Sequence, residues 1–183
     1  MIYNIIGYVS ISKRRMQITL VCLKNIKSMQ KNSKEYMKLK IISAYNEEFK
    51  EISDLSFPTV ESFCLKNSFD CERFFIEDFG KPAPWFKIPT LIKEIDSNEY
   101  DYILWIDADA MILNQNFDIK QILDENKSLH ISHDPNSINS GAMLWKCDKV
   151  SRGFLKEVWK LSEKYLNHIW WEQAAIIELL ASE

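Results

Sequence analysis

The chain has 183 residues, of which 46% are hydrophobic and 27% charged, and its formal net charge is -3. This length and composition favour one globular domain with a sizeable core over a disordered chain, and the charge gives no electrostatic case for a nucleic-acid partner. The four cysteines include no CxxC pair, which argues against a structural zinc site and leads us to expect a reducing, cytoplasmic environment.

Residues 1–38 are predicted to form an N-terminal extension or linker. Two apolar runs, residues 2–10 and 18–23, lie on either side of a basic cluster, and residues 24–38 are polar and rich in lysine. The runs are too short for a signal peptide or for a membrane-spanning helix of about 18 residues. We expect a strand or a poorly ordered extension here, with a segment that touches a membrane surface as the less favoured alternative.

The first predicted strand is residues 40–44 (KIISA), a short apolar run between polar residues, followed by a loop at 45–49. Pro58 is typical of a helix start, because apolar residues follow it at helical spacing. Residues 71–77 favour a second strand. A helix follows around residues 86–95, with Pro89 tolerable only in its first turn.

The most distinct strand is residues 102–106 (YILWI), which is entirely apolar, as expected in the interior of a sheet. Residues 129–132 and 142–145 predict further strands. Apolar residues at helical spacing then outline helices over 154–166 and 174–180. Strands that alternate with helices predict an α/β fold with a mostly parallel sheet.

Asp107 and Asp109 directly follow this apolar strand. Ligands of open α/β sheets bind beyond the carboxyl ends of the strands. Two carboxylates held close together without a cation would repel each other, and the pKa of one would rise. Their oxygens suit Mg²⁺ or Mn²⁺, which can bridge a diphosphate and neutralise charge on a leaving nucleotide. The alternative is that the two residues only cap a helix or form a turn.

Four segments in order carry a resemblance to a known family. The segment WIDADA (105–110) resembles the metal-binding signature of GT-A glycosyltransferases, and PAPWFKIPTLIKEI (82–95), NSGAMLWKC (139–147) and WWEQAAIIELL (170–180) match one branch of them. That branch is the galactosyl, mannosyl and xylosyl transferase family, typified by fungal α-galactosyl- and mannosyltransferases and plant xyloglucan xylosyltransferases. The resemblance implies a GT-A-like, Rossmann-related catalytic domain over residues 39–183, with a mostly parallel sheet flanked by helices.

The resemblance also implies an activity. A hexose or pentose would move from a UDP- or GDP-sugar to a glycan or glycolipid acceptor, with retention of anomeric configuration, and such acceptors are compatible with a membrane-surface location. Mn²⁺ or Mg²⁺ would be held by Asp107 and Asp109. Members of the family usually supply a third ligand, a histidine, from a segment well after the last helix. This chain stops at Glu183, so we expect the catalytic domain to lack its C-terminal segment.

By the same resemblance, the donor contacts come from the end of the first strand and from the helix at 86–95. The base and ribose would meet Ser43, Ala44, Tyr45 and Asn46, and Lys87 would neutralise donor phosphate. Each residue has a structural alternative. Tyr45 can pack at the strand end, Asn46 can form a turn, and Lys87 can be a solvated lysine on a helix face.

On the sugar side, the resemblance places Asn139, Ser140 and Gly141 in a turn that contacts donor sugar or acceptor, with Asn139 among the catalytic residues. Glu172 and Gln173 would lie beside the anomeric carbon and stabilise an oxocarbenium-like centre. Turn chemistry alone also explains residues 139–141, and Glu172 equally suits the first turn of a helix.

His133 and Asp134 are candidate acceptor contacts at the end of a predicted strand. His130 and His133 would point to opposite faces of that strand, so we do not expect them to form a metal site together. Trp170 and Trp171 are interpreted as core or rim aromatics, with sugar stacking as the alternative.

Two other functions remain open. One is a degenerate domain that binds a nucleotide-sugar without catalysis, which the missing third metal ligand favours. The other is a nucleotidyltransferase of similar fold, although the loop at 45–50 lacks the glycines that such enzymes generally carry.

Overall fold

A computed structural model of the protein describes residues 4–12, 15–23, 37–133 and 137–182, with side chains from residue 37 onward. Of the lysine-rich segment at 24–38 in the predicted extension or linker, residues 24–36 lie outside this part of the chain. The elements in chain order are β1 (Asn4–Ser12), β2 (Arg15–Leu23), β3 (Leu39–Tyr45), α1 (Lys50–Asn67), β4 (Asp70–Phe75), α2 (Lys87–Asp96), β5 (Tyr102–Ile106), β6 (Ala110–Ile112), β7 (Leu129–His133), β8 (Ile138–Lys146), α3 (Lys149–Lys160) and α4 (Trp171–Ala181).

The main sheet has five strands in the order β4-β3-β5-β8-β7. Strand β3 is parallel to both β4 and β5, whereas β8 is antiparallel to β5 and β7. Four of the five strands therefore run in one direction, which confirms the predicted α/β fold with a mostly parallel sheet. A smaller sheet joins β2, β1 and β6, which agrees with the strand expected in the N-terminal region.

Alternation along the central strands creates a core on each face of the sheet. Leu104 and Ile106 of β5 pack with α1, while Ile103 and Trp105 pack with α2, α3 and α4. Every residue of β5 is buried, as the apolar sequence predicts. None of the described helices is both long and apolar enough to cross a membrane.

Helix α1 begins at Lys50, so the predicted start at Pro58 is wrong, and Pro58 lies inside the helix. A proline there removes one backbone donor and usually disrupts a helix. Contacts on both sides of it hold α1 in place. Ser56 donates its hydroxyl to the carbonyl of Ala108, and the Thr59 hydroxyl accepts the backbone N–H of Ile112 at 3.0 Å. Helix α1 thus supports the segment that carries the two aspartates.

Helix α3 ends at Lys160, six residues before the predicted end at residue 166. The backbone N–H groups of Leu161 and Ser162 donate to carbonyls three residues earlier, at 3.1 and 3.0 Å, and these tighter bonds close the helix. The other predicted strands and helices are confirmed with small changes at their ends. Pro89, in particular, lies in the first turn of α2.

Candidate active site

A cleft of about 180 Å³ lies at the carboxyl ends of β3 and β5. It brings together six of the residues predicted to bind the donor: Ala44, Tyr45, Asn46, Lys87, Asp107 and Asp109. Ser43 is buried and does not line the cleft, so its predicted contact with the donor is not found. Its other lining residues, absent from the sequence prediction, are Phe49, Ile76, Ala83, Pro84, Trp105 and Ala108. Ala83, Pro84, Trp105 and Ala108 belong to the segments that carry the resemblance, whereas Phe49 and Ile76 lie in connections between elements that no motif marked.

Neighbouring side chains contact the ring of Tyr45, which lines the cleft. The ring of Tyr45 meets Phe75 edge-on at 5.4 Å between centroids, and the Arg73 guanidinium lies 4.6 Å from the Tyr45 ring centroid. The Asn46 side-chain oxygen accepts the backbone N–H of Phe49 at 3.2 Å. Tyr45 therefore packs at the strand end and Asn46 forms a turn, as in the structural alternatives. Both residues also line the cleft. The exposed ring of Phe49 also lines the cleft.

Lys87, the first residue of α2, is only 3% exposed, so its interpretation as a solvated lysine is wrong. Its Nζ lies 2.7 Å from Glu172 Oε1 and 3.1 Å from Asp107 Oδ1, and it donates to the Ser140 carbonyl at 3.3 Å. Burial disfavours its charge, but the carboxylates of Asp107 and Glu172 outweigh burial and raise the Lys87 pKa. Lys87 is a charged centre that links α2, the end of β5 and α4.

Asp107 is oriented by hydrogen bonds with residues of β5 and β8. Its Oδ1 accepts the indole N–H of Trp105 at 2.6 Å, and its backbone N–H donates to the Gly141 carbonyl at 2.8 Å. Asp109 lies beside it, and burial together with the charge of Asp107 raises the Asp109 pKa to about 6. A turn and then β6 follow, so the helix-cap alternative for this pair is wrong.

These carboxylates fit a divalent cation in part. Hard oxygens are the ligands that Mg²⁺ and Mn²⁺ prefer. When ionised, Asp107, Asp109 and Glu172 carry two more negative charges than Lys87 offsets, and a divalent cation would balance them. Across the described ranges, no cluster of three His, Cys, Asp or Glu side chains is placed to hold a metal. The other coordination positions would fall to diphosphate oxygens and water.

The residues predicted on the sugar side form a cluster between β8 and α4. Ser140 donates its backbone N–H to Gln173 Oε1 at 3.0 Å, and its hydroxyl lies 2.9 Å from Glu172 Oε1. Glu172 Oε2 is buried without a hydrogen-bond partner, and burial raises the Glu172 pKa although Lys87 opposes this. Asn139 Oδ1 accepts the Gly141 backbone N–H at 2.8 Å. Both residues lie within β8, which begins at Ile138, so the turn predicted at 139–141 is wrong. The cluster adjoins the cleft through Lys87.

Of the two candidate acceptor contacts near β7, only His133 is described, and it does not join this cluster. His133 is exposed at the end of β7 and does not line the cleft, and Asp134 lies outside the described residues. His130 Nε2 accepts the backbone N–H of Asp124 at 2.9 Å. Within the described residues, no contact joins His130 and His133 in one site, so the acceptor role of His133 and Asp134 stays a prediction.

Comparison with known proteins identifies the fold. No protein-family model and no curated protein sequence matches the chain. A glycosyltransferase involved in the glycosylation of the major capsid of PBCV-1 is similar with a TM-score of 0.65 and 19% identity over 78% of this chain and 75% of that chain. The glycosyltransferase GlyE of Streptococcus pneumoniae TIGR4 is similar with a TM-score of 0.52 and 15% identity over 78% of this chain and 43% of that chain.

The chain therefore has a GT-A-like fold that it shares with these glycosyltransferases, as predicted. It spans less than half the length of the GlyE chain. The narrower resemblance to galactosyl, mannosyl and xylosyl transferases stays a prediction.

Proposed function

We propose that this protein is a glycosyltransferase that moves a sugar from a nucleotide-sugar donor to a glycan or glycolipid acceptor, with a divalent cation on Asp107 and Asp109. The observation that carries the proposal is the cleft at the carboxyl ends of β3 and β5, which is lined by six of the predicted donor residues. The GT-A-like fold shared with two glycosyltransferases supports it.

The chain's own groups divide the work. A bound cation would neutralise the negative charge of a departing nucleoside diphosphate. Tyr45 and Phe49 offer aromatic rings on which a nucleotide base can stack. Lys87 holds Asp107 in place from 3.1 Å and adds positive charge beside the site of the diphosphate.

Glu172 and Gln173 are proposed to act at the anomeric carbon. Lys87 and Ser140 hold Glu172 Oε1, and Ser140 holds Gln173 Oε1, so both side chains are positioned before a donor binds. Glu172 Oε2 is a buried acceptor without a partner, and a hydroxyl of a bound sugar would satisfy it. Retention, a hexose or pentose, a UDP- or GDP-sugar, and Mn²⁺ or Mg²⁺ are the finer parts of the proposal and rest on the sequence resemblance.

The decisive experiment is a thermal-shift screen of UDP, GDP and their sugars, each with and without Mn²⁺. A ligand that binds only the folded state at a hundredfold excess over its Kd stabilises by about 2.7 kcal/mol. We expect one nucleotide series to raise the Tm only when Mn²⁺ is present, and Asp109→Ala to abolish the effect. Glu157→Gln, which changes an exposed acid paired with Lys160, is the matched control and should behave as wild type.

No nucleotide effect on the folded wild-type protein would overturn the donor site. A shift that persists without metal and in Asp109→Ala would overturn the role of the aspartate pair.

A binding domain without catalysis is the second candidate, because no third side chain completes the metal site in the described part of the chain. Product analysis separates the possibilities. A glycosyltransferase releases a nucleoside diphosphate from a nucleotide-sugar, whereas a nucleotidyltransferase releases pyrophosphate from a nucleoside triphosphate. A metal-dependent shift with neither product would identify a binding domain.

A further inference from the structure

Three consecutive large apolar side chains are exposed at the start of α4. Ile169, Trp170 and Trp171 are 76%, 45% and 36% exposed, so of the two positions predicted for the tryptophans, core or rim, the core position is wrong. We refer to these three residues as the indole surface. Contiguous exposed apolar surface on a soluble domain commonly marks a binding site.

The indole surface is held rigidly. The Trp170 carbonyl accepts the backbone N–H groups of Gln173 at 2.8 Å and Ala174 at 3.3 Å. The backbone N–H of Trp170 donates to His168 Nδ1 at 3.1 Å. The His168 ring lies edge-on between the rings of Trp170 and Tyr165, with centroids 6.0 and 5.5 Å away. Rings that are fixed in advance lose little conformational freedom when a ligand binds.

The backbone is strained at Trp171, where the indole surface meets Glu172. Trp171 has a φ of 38°, in the left-handed region that a non-glycine residue seldom adopts. Such strain persists where the surroundings impose it, and it concentrates at functional sites. The turn at this point leaves Trp171 exposed, whereas the next residue, Glu172, is buried against Ser140 and Lys87. The indole surface therefore borders the residues proposed to act at the anomeric carbon.

We propose that the indole surface binds a sugar ring of the acceptor glycan, whose C–H face stacks on the indole rings. This inference rests on the proposed function and adds the acceptor subsite to it. An indole combines a broad apolar face with a polar N–H, which suits a ring that has both C–H and hydroxyl groups. Residues 165–173 contain no Lys or Arg, so the segment offers no cation to an anionic membrane. A neutral glycan fits this surface better than a lipid headgroup does.

The test is binding to an array of immobilised α- and β-linked oligosaccharides of glucose, galactose, mannose and xylose, with Mn²⁺ present. We expect the wild type to bind a subset of them. Trp170→Ala and Trp171→Gly should reduce that binding at least tenfold, whereas Trp171→Phe should keep most of it. Trp171→Gly removes the ring and also relieves the positive φ, and the Tm of each variant checks that it is folded. Leu65→Ala, at an exposed leucine of α1, is the matched control.

The nucleotide thermal shift, measured on the same proteins, separates this inference from the proposed function. Absence of any shift in wild type would overturn the proposed function. A wild type that shows the shift but binds no glycan on the array, or tryptophan variants that bind glycans as wild type does, would overturn the indole surface alone. So would tryptophan-dependent binding to phosphatidylcholine–phosphatidylserine vesicles instead of glycans, or a dimer that Trp170→Ala dissociates.

Discussion

Two lysines are enclosed by carboxylates at opposite ends of helix α2, and their surroundings differ. Lys87 begins the helix and contacts Asp107 and Glu172. Lys40, near the start of β3, lies 2.8 Å from Glu94 in the last turns of α2 and 2.6 Å from Glu72 of β4. Both side chains are buried or nearly so, at 3% and 12% exposure, and both clusters hold more acids than bases.

Position in the sheet separates the two clusters. The Lys40 cluster lies at the amino end of β3, where Glu72 is 46% exposed and water can solvate its charge. The Lys87 cluster lies at the carboxyl end of β5, where α/β sheets bind their ligands. There Glu172 Oε2 has no partner and Asp109 adds a further carboxylate. The same ion-pair chemistry thus stabilises the fold at one end and leaves charge for a ligand at the other.

Both lysines remain protonated. Burial disfavours the charge of Lys40, but hydrogen bonds from its ammonium to Glu72 and Glu94 outweigh burial and raise its pKa, as the carboxylates do for Lys87. Removing either lysine therefore leaves carboxylates without compensation. The loss in free energy of unfolding should be larger for the cluster that is less accessible to water.

The largest effect is expected for Lys87→Met. Loss of the ammonium leaves Glu172 and Asp107 uncompensated, and breaking a buried ion pair in this way costs about 3–5 kcal/mol. Urea unfolding should show that loss, and the metal-dependent nucleotide shift should disappear. Adding Glu172→Gln to this variant should recover part of the stability. Unchanged stability of Lys87→Met would mean that the cluster does not hold these elements together.

Lys40→Met is the matched comparison and should cost less. Solvent can reach Glu72, so we expect a loss of about 1.5–3 kcal/mol, the range for hydrogen bonds to charged groups. The nucleotide shift measured with Mn²⁺ should be retained, because Lys40 lies at the far end of the sheet. A lost shift in a folded Lys40→Met protein would contradict the division of roles between the two clusters.

The last effect is a pH dependence at the Lys87 end, measured in a metal chelator. Burial and the charge of Asp107 raise the Asp109 pKa from 3.8 to about 6. The folded state then holds this proton more tightly than the unfolded chain does, so the stabilisation is fully present below pH 3.8 and is lost as the pH rises through about 6.

Asp109→Asn should remove this pH dependence. The free energy of unfolding of wild type should fall relative to that of the variant between about pH 4 and about pH 7. Urea unfolding at a series of pH values measures the difference, with Glu157→Gln as the control. A constant difference across the range would show that Asp109 does not titrate as its surroundings predict.

Local sequence predicted most of the regular structure. Residues 102–106 form a buried strand because five apolar, β-prone residues in a row suit only the interior of a sheet. Pro89 lies in the first turn of α2, the helical position that proline tolerates. Pro58 misled the same rule, because the contacts of Ser56 and Thr59 with the aspartate segment, rather than helix propensity, hold the chain helical around it.

For the candidate site, the sequence by itself determined that two aspartates follow a buried strand and that polar residues follow the first strand. Only the tertiary structure decided that Lys87 is buried between Asp107 and Glu172, and that Trp171 is exposed beside them. The physical reason is separation along the chain. Each of these side chains could face solvent on its own helix or strand. Only the packing of α2, α4 and β8 around the end of β5 determines which of them come into contact.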